Sequence, residues 1–196
     1  MAIVHGYMTL PEFKAVLGDQ HNTDDDRLFE RAIETASRQI DEVRDDQFWQ
    51  TEEPIARRYR PVNPGVLWTG DFATTEGLVV KLDTARDGTF ATTWDATDWE
   101  AQRWSHREDR PYTRLVAVGG GCFPVDRLRY SVEVTAVWGW PAIPAEVKAA
   151  CQILALDHYR SRNLTGGIAS FGDAGPVRVA GFNPIARELL RELELR

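Results

Sequence analysis

The sequence is poor in the residues and runs that would assign it to several common classes of protein. Its only cysteines are Cys122 and Cys151, and neither lies in a paired motif. A disulfide framework or a cysteine-ligated metal site is therefore not expected. No run of about 18 apolar residues occurs, and the N-terminus lacks the basic start and apolar core of a signal peptide. We expect a chain that is made in the cytoplasm and has no membrane span.

The chain also lacks an excess of positive charge. It carries 23 Lys and Arg against 30 Asp and Glu, a net charge of −7. A large surface that holds nucleic acid by its phosphates needs the opposite balance. The seven tryptophans could suggest stacking on single strands, but Trp94, Trp99 and Trp104 are interleaved with acidic residues. We interpret these aromatics as core or subunit-contact residues.

Convergent catalytic and metal-binding motifs are missing as well. The four histidines have no metal-ligand spacing: His5, His21, His106 and His158. The "GGIASFG" segment lacks the Lys-Ser/Thr of a phosphate loop and is predicted to be a turn. No catalytic residue, cofactor or metal site is predicted. A small cytoplasmic enzyme using Cys122 or His158 is the alternative of a different class, although neither residue has an identifiable partner base.

Two acidic clusters are interpreted as structural. Asp24-Asp25-Asp26 opens a helix, where carboxylates cap the first turn and favour the positive end of the dipole. The segment "KLDTARDGTF" resembles a calcium loop only in part, because Ala85 and Trp94 occupy positions that need oxygen ligands. We predict a hairpin loop with Asp87-Gly88 at its tip.

Apolar spacing predicts helices at both ends of the chain. Thr9, Pro11 and Glu12 form a helix start with a capping box, and Gly18 ends that helix. A longer helix follows, whose apolar positions form one stripe: Leu28, Phe29, Ala32, Ile33, Ala36, Ile40 and Val43. A third begins at Pro144 and runs to about Arg162. The last follows Asn183.

Between these helices the pattern changes to short alternating runs separated by turn residues. Strands are predicted at residues 78–82, 90–94, 113–118 and 131–137. The fold class is therefore α+β: a helical bundle of about four helices with a β-rich insertion between the second and third long helices. We assign residues 1–50 and 140–196 to the helical body and residues 51–139 to the insertion.

The junction "VTAVWGWPAIPAEVKAACQILALDHYR" joins the insertion to the third helix. Burying one tryptophan removes roughly 200 Å² from water, about 5 kcal/mol before entropy, so exposed indoles here would be costly. The helix is apolar nearly all round, which indicates burial on more than one side. We predict a corner that is either monomer core or a subunit interface, formed by Trp138, Gly139, Trp140, Pro141, Val147, Ile153 and Leu156.

The order of these elements resembles the head–tail connector (adaptor) proteins of long-tailed double-stranded-DNA phages, and related prophage and gene-transfer-agent proteins. The resemblance covers nearly the whole chain. It is carried by "MTLPEFKAVLG", "LFERAIETASRQIDEV", "GGIASFGDAGPVRVAGFNP" and, most specifically, the Trp-Gly-Trp-Pro junction. The insertion is larger than in the most compact members of that family.

The resemblance implies a structural virion protein at the head–tail interface, without catalysis or cofactor. It implies a homo-oligomeric ring, a dodecamer, beneath the portal protein. The ring would extend the DNA channel and offer a platform to a stopper or another neck or tail protein. DNA would pass without sequence-specific binding, and an acidic wall suits sliding. A stopper or tail-completion protein is the nearest alternative. The C-terminal segment would reach the portal, through Phe182, Ile185, Leu189, Leu190, Leu193 and Arg196.

Overall fold

The computed structural model describes residues 3–18, 23–105, 107–161, 168–170, 176–178 and 182–195. The chain has the predicted α+β fold and divides into two compact units. The helical unit comprises Met1–Phe48 and Ile143–Arg196, and the β unit comprises Trp49–Ala142. The β unit is thus inserted between two segments of the helical unit.

The β unit contains two antiparallel sheets. One has the strand order β1 (Ile55–Tyr59), β7 (Val132–Ala136), β3 (Val79–Leu82), β4 (Thr92–Trp94), and the other the order β2 (Val66–Phe72), β6 (Tyr112–Ala117), β5 (Trp99–Arg103). Residues of both sheets share one core, to which β3 and β7 contribute alternate side chains and β6 contributes Leu115. The buried core comprises Leu67, Phe72, Val80, Leu82, Leu115, Phe123, Val132, Val134, Ala136 and Trp138.

Four strands lie where the alternation predicts them, whereas β1, β2 and β5 were not foreseen. All three lie at sheet edges. Strand β1 has no alternating burial, since four of its five residues are exposed. Strand β2 is interrupted by a register shift between Trp68 and Phe72, and Gly70 there has a φ of 78°. Edge strands are held by their neighbours' hydrogen bonds, so their own sequence pattern is weak.

The helical unit begins with the predicted capping box. In α1 (Leu10–Leu17), the Thr9 hydroxyl accepts from the backbone N–H of Glu12, and the Glu12 carboxylate accepts from the N–H of Thr9 at 2.7 Å. Gly18 ends the helix in the left-handed conformation. Helix α3 (Ala145–Ser161) packs against both α2 (Asp26–Arg44) and α4 (Pro184–Leu195).

Two details of α2 differ from the prediction. Leu28 and Val43, expected in the buried stripe, are exposed, because the packed face is narrower and ends at Phe29 and Ile40. Asp25 precedes the helix with a φ of −97° and a ψ of 3°, and its carboxylate makes no capping hydrogen bond.

The acidic start of α2 instead binds neighbouring helices. The Asp25 carboxylate accepts a hydrogen bond from the hydroxyl of Tyr159 on α3 at 2.7 Å. The Asp26 carboxylate forms a salt bridge with the ammonium group of Lys14 on α1 at 2.8 Å. The acidic run therefore ties three helices together.

Several residues singled out in the sequence lie outside the described residues: His21, His106, Arg162, Arg196 and most of the "GGIASFG" segment. From the segment that follows α3, the structure describes the antiparallel pair β8 (Ile168–Ser170) and β9 (Pro176–Arg178). No helix in the described part of the chain combines the length and the apolar character that a membrane crossing needs.

Candidate assembly surfaces

Trp138 belongs to the core of the β unit and is fully buried. Its indole Nε1 donates to the carbonyl of Ile55 at 2.7 Å, and its backbone exchanges two hydrogen bonds with Thr51. The guanidinium of Arg57 lies 4.4 Å from the ring centroid, and the Phe72 ring meets the indole edge-on. This predicted corner residue is thus placed in the core of the β unit.

Gly139 follows at a position that accepts no side chain. Its φ is 107°, and a Cβ atom there would lie 2.0 Å from the carbonyl oxygen of Trp49. The backbone N–H of Gly139 donates to the carbonyl of Asp71 at 2.9 Å. Pro141 follows, and its carbonyl accepts from the side-chain amide of Gln50 at 2.8 Å. The predicted turn therefore depends on the close approach of the Gly139 backbone to the backbone of Trp49.

Trp140 is buried too, and it contacts two polar side chains. Its indole N–H donates to the Asp71 carboxylate at 2.7 Å, and the Arg110 guanidinium lies 4.9 Å from the ring centroid. A buried indole N–H without an acceptor would cost roughly 1–3 kcal/mol, so the Asp71 contact is structurally important.

The three α3 residues predicted for this surface have different environments. Val147 is fully buried in the helical unit. Ile153 and Leu156 are half-buried. The stripe of α3 that contains Val147 is thus buried, whereas the side that contains Ile153 and Leu156 is partly exposed to solvent.

Helix α4 carries the residues predicted for portal docking. Leu190 and Leu193 are buried together with Ala186, on the helix face that packs in the helical unit. Phe182 and Leu189 are half-buried, and Ile185 is 65% exposed. The accessible apolar residues of this end are therefore Ile185, Leu189 and Phe182.

Asn183 fixes the start of α4. Its side-chain oxygen accepts from the backbone N–H of Ile185 at 3.0 Å, which is an N-cap bond. Its amide nitrogen donates to the carboxylate of Asp157 on α3 at 2.7 Å. One side chain thus both starts the helix and ties it to α3.

Of the two residues weighed for catalysis, Cys122 belongs to the β unit and His158 to the helical unit. The Cys151 thiol is buried beside the Ser37 hydroxyl at 3.6 Å, and burial raises its pKa to about 11, the opposite of an activated nucleophile. Cys122 lies in an exposed loop of the β unit. Among the described residues, no group of three or more His, Cys, Asp or Glu side chains could hold a metal ion.

His158 lines a groove of about 300 Å³ between α2 and α3, together with Leu28, Arg31, Ala32, Thr35 and Tyr159. Its Nε2 is 2.9 Å from the side-chain oxygen of Gln39. Burial lowers the pKa of the imidazole, so the ring is held neutral. None of the described residues that line this groove is Cys, Ser, Asp or Glu.

Sequence reasoning missed one aromatic surface, on the outer side of the β2-β6-β5 sheet. Trp68 and Trp104 are both exposed, Trp104 by 72%, and their ring centroids are 5.9 Å apart. The guanidinium of Arg114 lies 5.2 Å from the Trp68 ring, since the two residues are register partners. Only the pairing of β2 with β6 reveals this arrangement, and β2 carried no clear strand pattern.

Comparison with solved structures identifies chains that share this architecture. The sequence matches no protein-family model and no curated protein. A chain from the neck of an empty gene transfer agent (GTA) particle, computed with C6 symmetry, superposes with a TM-score of 0.60 at 17% identity, covering 98% of this chain and 91% of that chain.

Two further structures agree. A chain from the neck of the native GTA particle, computed with C12 symmetry, gives a TM-score of 0.55 at 16% identity over 95% of this chain and 91% of that one. A chain from the virion of the native GTA particle gives 0.53 at 18% identity over 98% and 91%. This chain shares their fold.

Proposed function

We propose that the protein is a structural head–tail connector (adaptor) of a phage-like particle, forming a ring beneath the portal. One observation carries the proposal: both units, helical and β, are matched together by chains from GTA particle necks over nearly their full length. Those necks were computed with C6 and C12 symmetry, which fits a ring of identical subunits. The ring would extend the DNA channel and present a platform to the next neck protein.

The described chemistry supports a structural role. The buried polar groups at the junction stabilise the fold: Trp138 binds the carbonyl of Ile55, and Trp140 binds Asp71. Of the two residues weighed for catalysis, Cys122 lies in an exposed loop, and the imidazole of His158 contacts the side-chain oxygen of Gln39. An amide oxygen is not a nucleophile that the imidazole could activate.

The portal contact is proposed to involve α4 through its accessible apolar residues, Ile185, Leu189 and Phe182. Deleting the helix would not test this cleanly, because Leu190 and Leu193 are buried and their loss would expose α3. Ile185→Asp changes an exposed side chain. It should abolish binding to portal rings, whereas Val16→Asp, at an exposed position on α1, should not.

A stopper or tail-completion protein would share the ring geometry but lie further from the portal. Electron microscopy of particles that lack this protein distinguishes these two positions in the neck. Loss of an adaptor leaves packaged heads with nothing assembled below the portal. Loss of a stopper leaves a ring still attached there.

A further inference from the structure

Three loops meet at one end of the β unit, comprising residues 60–65, 83–91 and 118–131, and we call this end the loop tip. The N–H of Phe123 donates to the carbonyl of Pro64 at 2.8 Å. The Arg129 guanidinium donates to the carbonyl of Arg86 at 3.1 Å, which joins the other pair of loops. The register that pairs Ile55 with Ala136 and Tyr59 with Val132 puts the tip at the far end of the sheet from Thr51 and Trp138.

The loop tip presents apolar side chains to solvent. Val62 is 85% exposed, Leu128 is 88% exposed, and Tyr130 is also exposed. Hydrogen bonds hold the turn that carries Leu128. The Asp126 carboxylate accepts from the backbone N–H of Leu128 at 2.8 Å and from the backbone N–H of Arg129 at 3.0 Å. These loops display three exposed apolar side chains together, Val62, Leu128 and Tyr130, which favours an interaction surface.

The same surface is basic, in a chain whose net charge is −7. Its exposed cations are Arg60, Arg86, Arg127 and Arg129. Of the acids in these loops, Asp83 is buried and accepts the N–H groups of Asp87 and Gly88. The remaining two, Asp87 and Asp126, accept local hydrogen bonds, which lower the pKa of each carboxyl. A lowered pKa keeps both carboxylates charged, so the four arginines of these loops exceed the three Asp by one positive charge. This excess favours a partner surface that is acidic and partly apolar.

The helical unit carries a surface of that kind at the C-terminal end of α2. Glu42, Asp45 and Asp46 are exposed there beside the exposed Val43, and Arg44 is the basic residue of this turn. Carboxylates at a helix C-terminus face the negative end of the helix dipole, which is an unfavourable placement. A cationic surface docked against this acidic end would offset that cost.

We propose that the loop tip of one copy docks on the acidic end of α2 in a second copy. The contact pairs Arg127 and Arg129 with Glu42 and Asp46, and packs Leu128 against Val43. Because the two surfaces differ, the contact is head-to-tail and can repeat around a closed ring. The inference rests on the proposed ring and names the residues that hold neighbouring subunits together.

Paired charge reversal tests the contact in the full chain. We compare Arg127→Glu/Arg129→Glu with Glu42→Lys/Asp46→Lys by sedimentation velocity at low salt, up to millimolar concentration. The wild type should self-associate, and each reversal should weaken association about tenfold or more. The chain with all four substitutions should recover to within about threefold of wild type. Arg27→Glu/Arg31→Glu, on the exposed side of α2, is the control and should leave association unchanged.

Mixing gives a sharper readout. A mixture of the two singly reversed chains retains one wild-type tip and one wild-type acidic end, on different molecules. The reversed tip also meets a reversed acidic end, again on different molecules, so both contacts in the mixture pair opposite charges. The mixture should therefore associate about as strongly as the fourfold variant, whereas neither chain should do so alone.

A wild type that stays monomeric at millimolar concentration, or a fourfold variant that fails to recover, overturns the proposed contact. So does a tip reversal that lowers affinity for a duplex DNA oligonucleotide while self-association persists, since the tip would then be a nucleic-acid surface. Each of these outcomes leaves the proposed function standing, because a ring seen in the particle neck can use other contacts.

Discussion

The indole of Trp138 donates a hydrogen bond to the backbone carbonyl of Ile55, 83 residues earlier in the chain, at 2.7 Å. This bond joins the chain just after β7 to the first residue of β1. Beside it, the N–H of Thr51 donates to the carbonyl of Trp138, and the N–H of Trp138 donates to the hydroxyl of Thr51. The end of the β unit where the chain enters and leaves is therefore fastened by a single buried aromatic residue and its neighbours.

Trp138→Phe should destabilise the protein by about 2 kcal/mol. The substitution leaves the Ile55 carbonyl without its donor and opens part of the indole site. Urea denaturation monitored by circular dichroism measures the change. Trp104→Phe, at a site 72% exposed, should cost less than about 0.5 kcal/mol. Equal costs at the two sites would contradict the central packing role of Trp138.

Gly139→Ala should be more damaging than Gly77→Ala. Both glycines have positive φ, 107° and 70°, so both substitutions strain the backbone by about 1 kcal/mol. Only at Gly139 does the new Cβ meet a backbone atom, the Trp49 oxygen, at 2.0 Å. We expect a loss of at least about 3 kcal/mol or failure to fold, read from thermal melts of the two variants. A Gly139→Ala protein as stable as Gly77→Ala would show that this backbone approach can relax.

Asn183 allows the cap of α4 to be separated from its tether. Asn183→Ser keeps an N-cap oxygen but loses the amide that binds Asp157, whereas Asn183→Ala loses both. Hydrogen exchange at residues 184–193 should accelerate modestly in the first variant and more strongly in the second, by about 1 kcal/mol of local opening free energy. Identical exchange in both variants would mean that the cap contributes nothing.

The partly buried imidazole of His158 should make the stability of the folded state depend on pH. Burial lowers the pKa of its imidazole below the ordinary 6.5, while Asp157 nearby acts in the opposite direction. The folded state therefore binds the proton less readily than the unfolded chain. This contribution to stability is fully present above about pH 6.5 and is lost as pH falls through the lower folded value.

The measurement is an NMR titration of the His158 ring together with urea denaturation across that pH range. The ring should titrate below pH 6.5, and His158→Gln should lose less stability on acidification than wild type. A ring that titrates at or above 6.5 would contradict its buried, neutral state.

The sequence predicts those elements whose signals are local. The Thr9–Glu12 capping box and the Gly18 terminus need only residues within one helix, and both were predicted correctly. Strands β3 and β7 alternate because each has one face in the core. Those signals exist before any tertiary contact forms, so pattern analysis can find them.

Features that depend on distant partners were missed. Strand β1 reads "IARRY", and its two arginines lie over the rings of Trp138 and Phe90, contacts that no local pattern shows. Asp25 was expected to cap α2, but the hydroxyl of Tyr159, on α3, binds its carboxylate. The loop tip was likewise invisible, because its arginines and exposed leucine come from three separate loops.

Electron microscopy of the particle neck is the direct test of the proposed ring. We expect a closed ring of this chain in contact with the portal, with the DNA channel running through its centre. A neck reconstruction in which this chain is absent, or is present as single copies without a ring, would contradict it.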